Sequence, residues 1–196
     1  MIVVIGGTSC VGKTVLAHEI MKMHALPYLS IDHLMMGIYR SNKNCGYTPE
    51  SETREIVKVI WPILKEMIKT NIENKNDFVY EGFQIVPENI EEIEQEYRNN
   101  IMQIFLGFSE SYITTKYSVI KAKRNIIEQR TDLESKDTMI KKNREFITKC
   151  NDHNIKPYII KEDYETEIEQ IRKEINLTIA STLTRSLSSF LRECAS

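Results

Sequence analysis

A short apolar run, Met1–Ile5, stops at Gly6–Gly7, and from Thr14 onward Val15, Leu16, Ile20 and Met23 recur at helical spacing. Between the two, Gly7-Thr8-Ser9-Cys10-Val11-Gly12-Lys13-Thr14 fits the pattern G-x-x-x-x-G-K-[ST] in full. Strand, glycine loop and helix in that order form a cradle for phosphate. The glycines let successive backbone N–H groups turn inward around the anion, and the helix adds the positive end of its dipole. In such a cradle Lys13 bridges the β- and γ-phosphates of a nucleoside triphosphate, and Thr14 sets its hydroxyl on Mg²⁺. Cys10 and Val11 read as loop fillers.

Further apolar runs at Tyr28–Ile31, Asp77–Tyr80, Ile101–Leu106 and Lys156–Ile160 bring the expected strands to five. Segments of helical period separate them. The clearest carries Ile56, Val59, Ile60, Ile63, Leu64, Met67, Ile68 and Ile72 on one stripe, with Thr48 as the expected N-cap and Pro49 at the first helical position. Pro62 lies inside the stripe, and because the apolar phase runs through it a single helix kinked near Trp61 is expected. Short strands alternating with helices predict an α/β fold whose parallel sheet is covered on both faces. One domain over about residues 1–165 follows. Beyond it Tyr164–Asn176 reads as a helix with Ile168, Ile171 and Ile175 inward. For Leu177–Ser196 the pattern leaves three outcomes open: continuation of that helix, docking on a second copy as a homodimer contact, or fraying.

Composition narrows the function. With 196 residues and a net charge of −2, the long-range field attracts neither nucleic acid nor an anionic membrane surface. No apolar run approaches the roughly 18 residues of a membrane span, so a cytoplasmic protein is expected. Cys10, Cys45, Cys150 and Cys194 form no C-x-x-C pair and read as reduced thiols, and His18, His24, His33 and His153 show no ligand spacing, so no metal site of their own is expected. The letters Asn74-Lys75-Asn76-Asp77 match N-K-x-D, but they precede the third strand and no D-x-x-G accompanies them. They read as a polar turn rather than a guanine site.

These residues resemble the small P-loop kinases, among them the nucleoside monophosphate kinases and the small-molecule kinases of the 2-phosphoglycerate kinase, zeta toxin and chloramphenicol phosphotransferase type. The resemblance spans about residues 1–165. It rests on the phosphate loop, on Leu29-Ser30-Ile31-Asp32, on Val79-Tyr80-Glu81-Gly82-Phe83, and on a basic segment after the fourth strand. It implies a three-layer fold with the sheet order 2-3-1-4-5, ATP and Mg²⁺ as phosphoryl donor, a small-molecule acceptor and a mobile helical lid over about 116–144. By the same resemblance Asp32 accepts the proton of the attacking hydroxyl. On position alone, Asp32 follows a strand and opens a helix, so it projects from the carboxyl edge of the sheet or simply caps that helix. Glu81 ends the third strand at the same edge, where it holds Mg²⁺ through water or grips a substrate hydroxyl, and Gly82 lets the chain pass closely by a ligand. Nucleoside monophosphate kinases usually continue this turn with Pro and Arg, where this chain has Gln84 and Ile85. Arg124 and Arg130 are the expected lid cations on the transferring phosphoryl, with Lys121, Lys123, Lys141, Lys142 and Arg144 nearby in sequence, and Arg40 is a candidate for an anionic acceptor. The expected activity is transfer of the γ-phosphate of ATP·Mg to a small molecule. Nucleoside monophosphate phosphorylation and a non-catalytic ATP-binding regulatory module are the alternatives.

Overall fold

The structure, a computed structural model, describes residues 1–122 and 134–193, with side chains through Thr184. Five parallel strands form one sheet: β1 (Ile2–Gly7), β2 (Tyr28–Ser30), β3 (Phe78–Glu81), β4 (Ile101–Phe108) and β5 (Tyr158–Ile160), in the order β2-β3-β1-β4-β5. This is the order the resemblance implied. Every residue of the central β1 is buried, because helices cover a parallel sheet on both faces and leave no solvent side. Successive side chains of a strand point to opposite faces, which divides β1 between two cores. Val3 and Ile5 join Leu16, Ala17 and Ile20 of α1 (Lys13–His24). Ile2 and Val4 join Ile31 and Met35 of α2 (Ile31–Ser41) and Ile56, Ile60, Leu64 and Ile68 of α3 (Thr53–Glu73).

Several boundaries differ from the sequence reading, each for a local reason. β2 ends at Ser30, whose extended backbone caps α2, so Ile31 is the first helical residue rather than the last of a strand. β3 begins at Phe78, since Asp77 pairs with the N-terminal ammonium. β4 runs two residues past Leu106, and β5 starts at Tyr158 rather than Lys156. Residues 48–51 form a separate turn, closed by Ser51 N–H to the Thr48 carbonyl (3.0 Å) and by Thr48 N–H to Ser51 Oγ (3.0 Å). The helical ladder therefore starts from the Glu52 carbonyl, and Thr48 and Pro49 stand outside α3. The helix is single through Pro62, and Ile63, expected on the buried stripe, is 40% exposed. The Asn74–Asp77 letters are indeed a turn: Asn74 caps α3 and Lys75 has φ 55°.

Two short helices, α4 (Pro87–Glu91) and α5 (Gln95–Arg98), lead into β4. Then come α6 (Glu110–Ala122), interrupted at Lys116, and α7 (Lys136–Asp152), capped by Ser135 Oγ on the Thr138 N–H. Lys123, Arg124 and Arg130 lie outside the described residues. α8 (Tyr164–Glu193) is continuous, and Ile168, Ile171, Ile175 and Ile179 are buried in the cluster that holds Val3 and Ile5. From Leu177 to Glu193 the C-terminal segment continues the helix. No helix among the described residues is long and apolar enough to cross a membrane. Cys10, Cys45 and Cys150 form no disulfide with one another, and burial pushes the Cys150 thiol up to about 12.

Asn143 on α7 ties the end of β4 to the layer above it. Its Oδ1 accepts from the Phe108 N–H (3.0 Å) and its Nδ2 donates to the Phe108 carbonyl (2.7 Å), both buried. Replacing it by an apolar residue of similar volume leaves two backbone groups unsatisfied in the interior. Asn143→Leu is expected to lower unfolding stability by about 2–4 kcal/mol, read as a shift of the urea midpoint. A loss under about 0.5 kcal/mol would mean the Phe108 groups find other partners.

Candidate active site

Because all five strands are parallel, their carboxyl ends share one edge, and the loops leaving β1, β2 and β3 are neighbours there. At β1 the chain makes a turn that side chains exclude. A Cβ on Gly6 would stand 2.4 Å from the Ile85 carbonyl oxygen and 2.6 Å from the Phe105 ring, and one on Gly7 (φ 143°) would stand 2.3 Å from the Leu106 carbonyl oxygen. Cys10 and Gly12 also take positive φ, 62° and 100°. The left-handed residue Gly12 is the N-cap of α1 and offers no side-chain cap, so the first N–H groups of the helix are left for a ligand. Lys13 is 9% exposed and its Nζ donates to the Thr8 carbonyl (2.9 Å), which folds the ammonium over the loop. Thr14 follows in the first turn of α1.

Asp32 lies two residues past the end of β2. Ser30, not Asp32, is the N-cap of α2, so the capping alternative is removed; Asp32 sits in the first turn of the helix. Its Oδ1 accepts from Gln84 Nε2 at 2.9 Å. Glu81 is the last residue of β3, lies in register with Ser30 on one side and Ile5 on the other, and is 3% exposed. The Tyr28 hydroxyl donates to its Oε2 at 3.5 Å. The space a Cβ on Gly82 would need is occupied by Gln84 Oε1 at 2.4 Å and Ile31 Cβ at 2.8 Å, so Gly82 admits its own chain there rather than a ligand. Arg40 is exposed in the last turn of α2. Arg144 forms a two-pronged pair with Glu110 across α6 and α7, its Nη2 2.7 Å from both carboxylate oxygens, and Lys142 pairs with Glu134 (2.6 Å).

Two residues of this edge were given no role at the site by sequence reasoning. Gln84 is 1% exposed and interrupts the otherwise apolar Phe83–Val86, a polar residue in an apolar setting that could have marked it. Tyr164, the first residue of α8, brings its hydroxyl within 3.5 Å of the Val11 carbonyl oxygen and to 2.4 Å from the place of a Gly12 Cβ. Burial pushes the Tyr164 hydroxyl up from its ordinary value, which keeps it protonated as a donor. Its contact spans 153 positions of sequence, which no local pattern reveals.

Of the eight buried side-chain polar atoms without a hydrogen-bond partner among the described residues, three, Thr8 Oγ1, Ser30 Oγ and Gln84 Oε1, stand just beyond or at the ends of β1, β2 and β3. Orphaned polar atoms gathered on adjacent strand ends suit an edge that receives a polar ligand. No group of three or more His, Cys, Asp or Glu side chains among the described residues could hold a metal ion by itself. The oxygen donors Thr14 and Glu81 do suit Mg²⁺ that arrives with phosphate oxygens supplying the remaining ligands.

No protein-family model matches the chain, and no curated protein matches its sequence. Its fold is shared with solved kinases. A gluconokinase from Sinorhizobium meliloti matches with a TM-score of 0.50 at 14% identity over 94% of this chain and 95% of that one. Shikimate kinases match from Aquifex aeolicus (TM-score 0.52, 15% identity, 94% of this chain and 99% of that one) and from Bacteroides thetaiotaomicron (0.52, 13% identity, 89% and 98%). The chain thus has the three-layer α/β fold of the P-loop small-molecule kinases, with the five-stranded parallel sheet in their order.

The glycine constraints can be measured. Gly12→Ala forces a side chain into φ 100° and against Tyr164, and is expected to lower stability by about 1–3 kcal/mol in urea unfolding. Gly37, mid-helix in α2 with nothing within 4 Å of its Cβ position, is the control: Gly37→Ala should raise stability by about 0.5–1 kcal/mol. Equal effects of the two substitutions would contradict this loop geometry.

Proposed function

We propose that this chain is a kinase that moves the γ-phosphoryl group of ATP·Mg²⁺ to a hydroxyl of a small-molecule acceptor. The observation that carries the reading is the meeting, on adjacent strand ends, of a complete phosphate loop after β1 with the carboxylates Asp32 and Glu81 after β2 and β3. The loop amides and Lys13 hold the triphosphate and offset the charge that builds on its oxygens. Thr14 and Glu81 are the residues that would hold Mg²⁺, which would supply neutralisation of phosphate charge when bound. Asp32 orients the acceptor and takes its proton: the acceptor oxygen forms a bond to the γ-phosphorus, the bond to the bridging oxygen breaks, and its electron pair leaves on ADP. Arg40 is assigned to an anionic group of the acceptor, and Arg124 and Arg130 to the transferring phosphoryl on closure. The names gluconokinase and shikimate kinase describe small hydroxylated acceptors for those proteins. An acceptor of that size, rather than a nucleoside monophosphate, accords with Gln84 and Ile85 standing where Pro and Arg are usual in nucleotide kinases.

The experiment is ADP release from ATP·Mg²⁺ over a panel of sugars, sugar acids, phosphoglycerates, nucleosides and nucleotides, repeated with variants. Lys13→Ala should lose ATP·Mg²⁺ affinity and at least about a hundredfold in turnover. Since Asp32 is not the N-cap, Asp32→Asn should melt within a few degrees of the parent and bind ATP·Mg²⁺ normally, yet lose about a hundredfold or more in acceptor phosphorylation. ATP-induced stabilisation with no acceptor dependence anywhere on the panel would instead make the protein a nucleotide-binding module. Parental transfer by Asp32→Asn would move the base elsewhere, with Glu81 the next group to replace.

A further inference from the structure

Gln84 has no task in the transfer as written, yet the fold buries it against the group that has one. Burying a primary amide is costly unless its N–H and C=O are matched. Here Nε2 donates to Asp32 Oδ1 at 2.9 Å and lies 3.6 Å from Met35 Sδ, while Oε1 fills the space over Gly82 and has no partner. The orientation of the amide follows from chemistry: turned over, it would set one acceptor oxygen against another. The bond to a carboxylate is charge-assisted and is the strongest contact this side chain makes. An aspartate carboxylate turns over a broad range about its last torsion, so a donor that holds one oxygen sets the plane of the whole group.

We infer that Gln84 is a positioning residue: by donating Nε2–H to Oδ1 of Asp32 it sets the plane in which that carboxylate meets the acceptor hydroxyl. The inference rests on the Asp32 role proposed above. It explains why a glutamine is kept in an apolar segment with half of its amide unmatched, and why residue 82 is a glycine. Any side chain at position 82 would push Oε1 away and carry Nε2 off the carboxylate. A displacement of about 1 Å at a reacting group costs about a hundredfold in rate, whereas nucleotide binding at the loop after β1 does not depend on it.

The test uses two variants of the full chain, Gln84→Met, which keeps length without a donor, and Gln84→Glu, which keeps shape without a donor when ionised. With ATP·Mg²⁺ and the panel acceptor that turns over fastest, kcat should fall about tenfold to a hundredfold in both while KM for ATP stays within about twofold. In an Asp32→Asn background the Gln84→Met change should cost less than about a further twofold, because Gln84 acts through Asp32. A separate signature needs no acceptor: in ¹⁵N-edited NMR the Gln84 side-chain amide protons, identified by their loss in Gln84→Met, should move to the position of exposed amides in Asp32→Ala. Unchanged kcat in both variants, full additivity with Asp32→Asn, or an amide signal indifferent to Asp32→Ala would each overturn the role of Gln84 alone. A parent that forms no ADP with any acceptor overturns the transfer reading, and the role of Gln84 with it.

Discussion

At Gly6, Gly7 and Gly12 neighbouring main chain, the Phe105 ring and the Tyr164 hydroxyl approach the backbone within distances that no Cβ tolerates. That closeness is what lets β1 run between β3 and β4 and turn at once into α1, leaving helix N–H groups without a side-chain cap. The backbone conformations it needs, at Gly7, Cys10 and Gly12, all have positive φ, and a chain pays for them in conformational freedom. The helices on either side of the sheet compensate by packing both faces of β1 with apolar side chains. Loop and core are thus one construction: the same strand that is buried on two faces ends in the turn that is open at its tip.

That edge is polar in a graded way. Lys13 bends over the loop onto a carbonyl, Glu81 is enclosed between two strands with a tyrosine hydroxyl at its side, and Asp32 shares a hydrogen bond with a buried amide. Each charged group of the edge is placed by backbone that cannot shift far, because the residues before it belong to strands or to a first helical turn. Rigid placement of this sort favours a site organised before its ligand arrives over one assembled around it.

How much of this is legible in the residues differs by element. The phosphate loop is local, eight consecutive residues with period changes on both sides, and its position and that of the five strands are readable. Glu81 falls at the end of β3 and Asp32 in the first turn of α2, two residues past β2, because an apolar run that stops at an acid is itself a local signal of where a strand gives out. The start of α3 is misread since Thr48 and Ser51 satisfy each other in a turn, a use of hydroxyls that competes with capping. Ile63 is misread because the eight-residue stripe is broader than the face that packs: Ile56, Ile60, Leu64 and Ile68 are buried, whereas Ile63 lies at its margin. The contacts of Gln84 with Asp32 and of Tyr164 with Val11 bridge 52 and 153 positions, and only the closed sheet brings them together.

The last helix completes the face that the first strand begins. Val3 and Ile5 share their core with Ile168, Ile171, Ile175 and Ile179, and Glu19 and His24 of α1 meet Arg172 and Asn176 of α8. During synthesis, then, α1 can cover only part of that apolar face, and the part that α8 covers waits until Ile179 has left the ribosome. That remainder stays exposed while the chain between α1 and α8 is made, so the packing of this layer spans most of the sheet's construction.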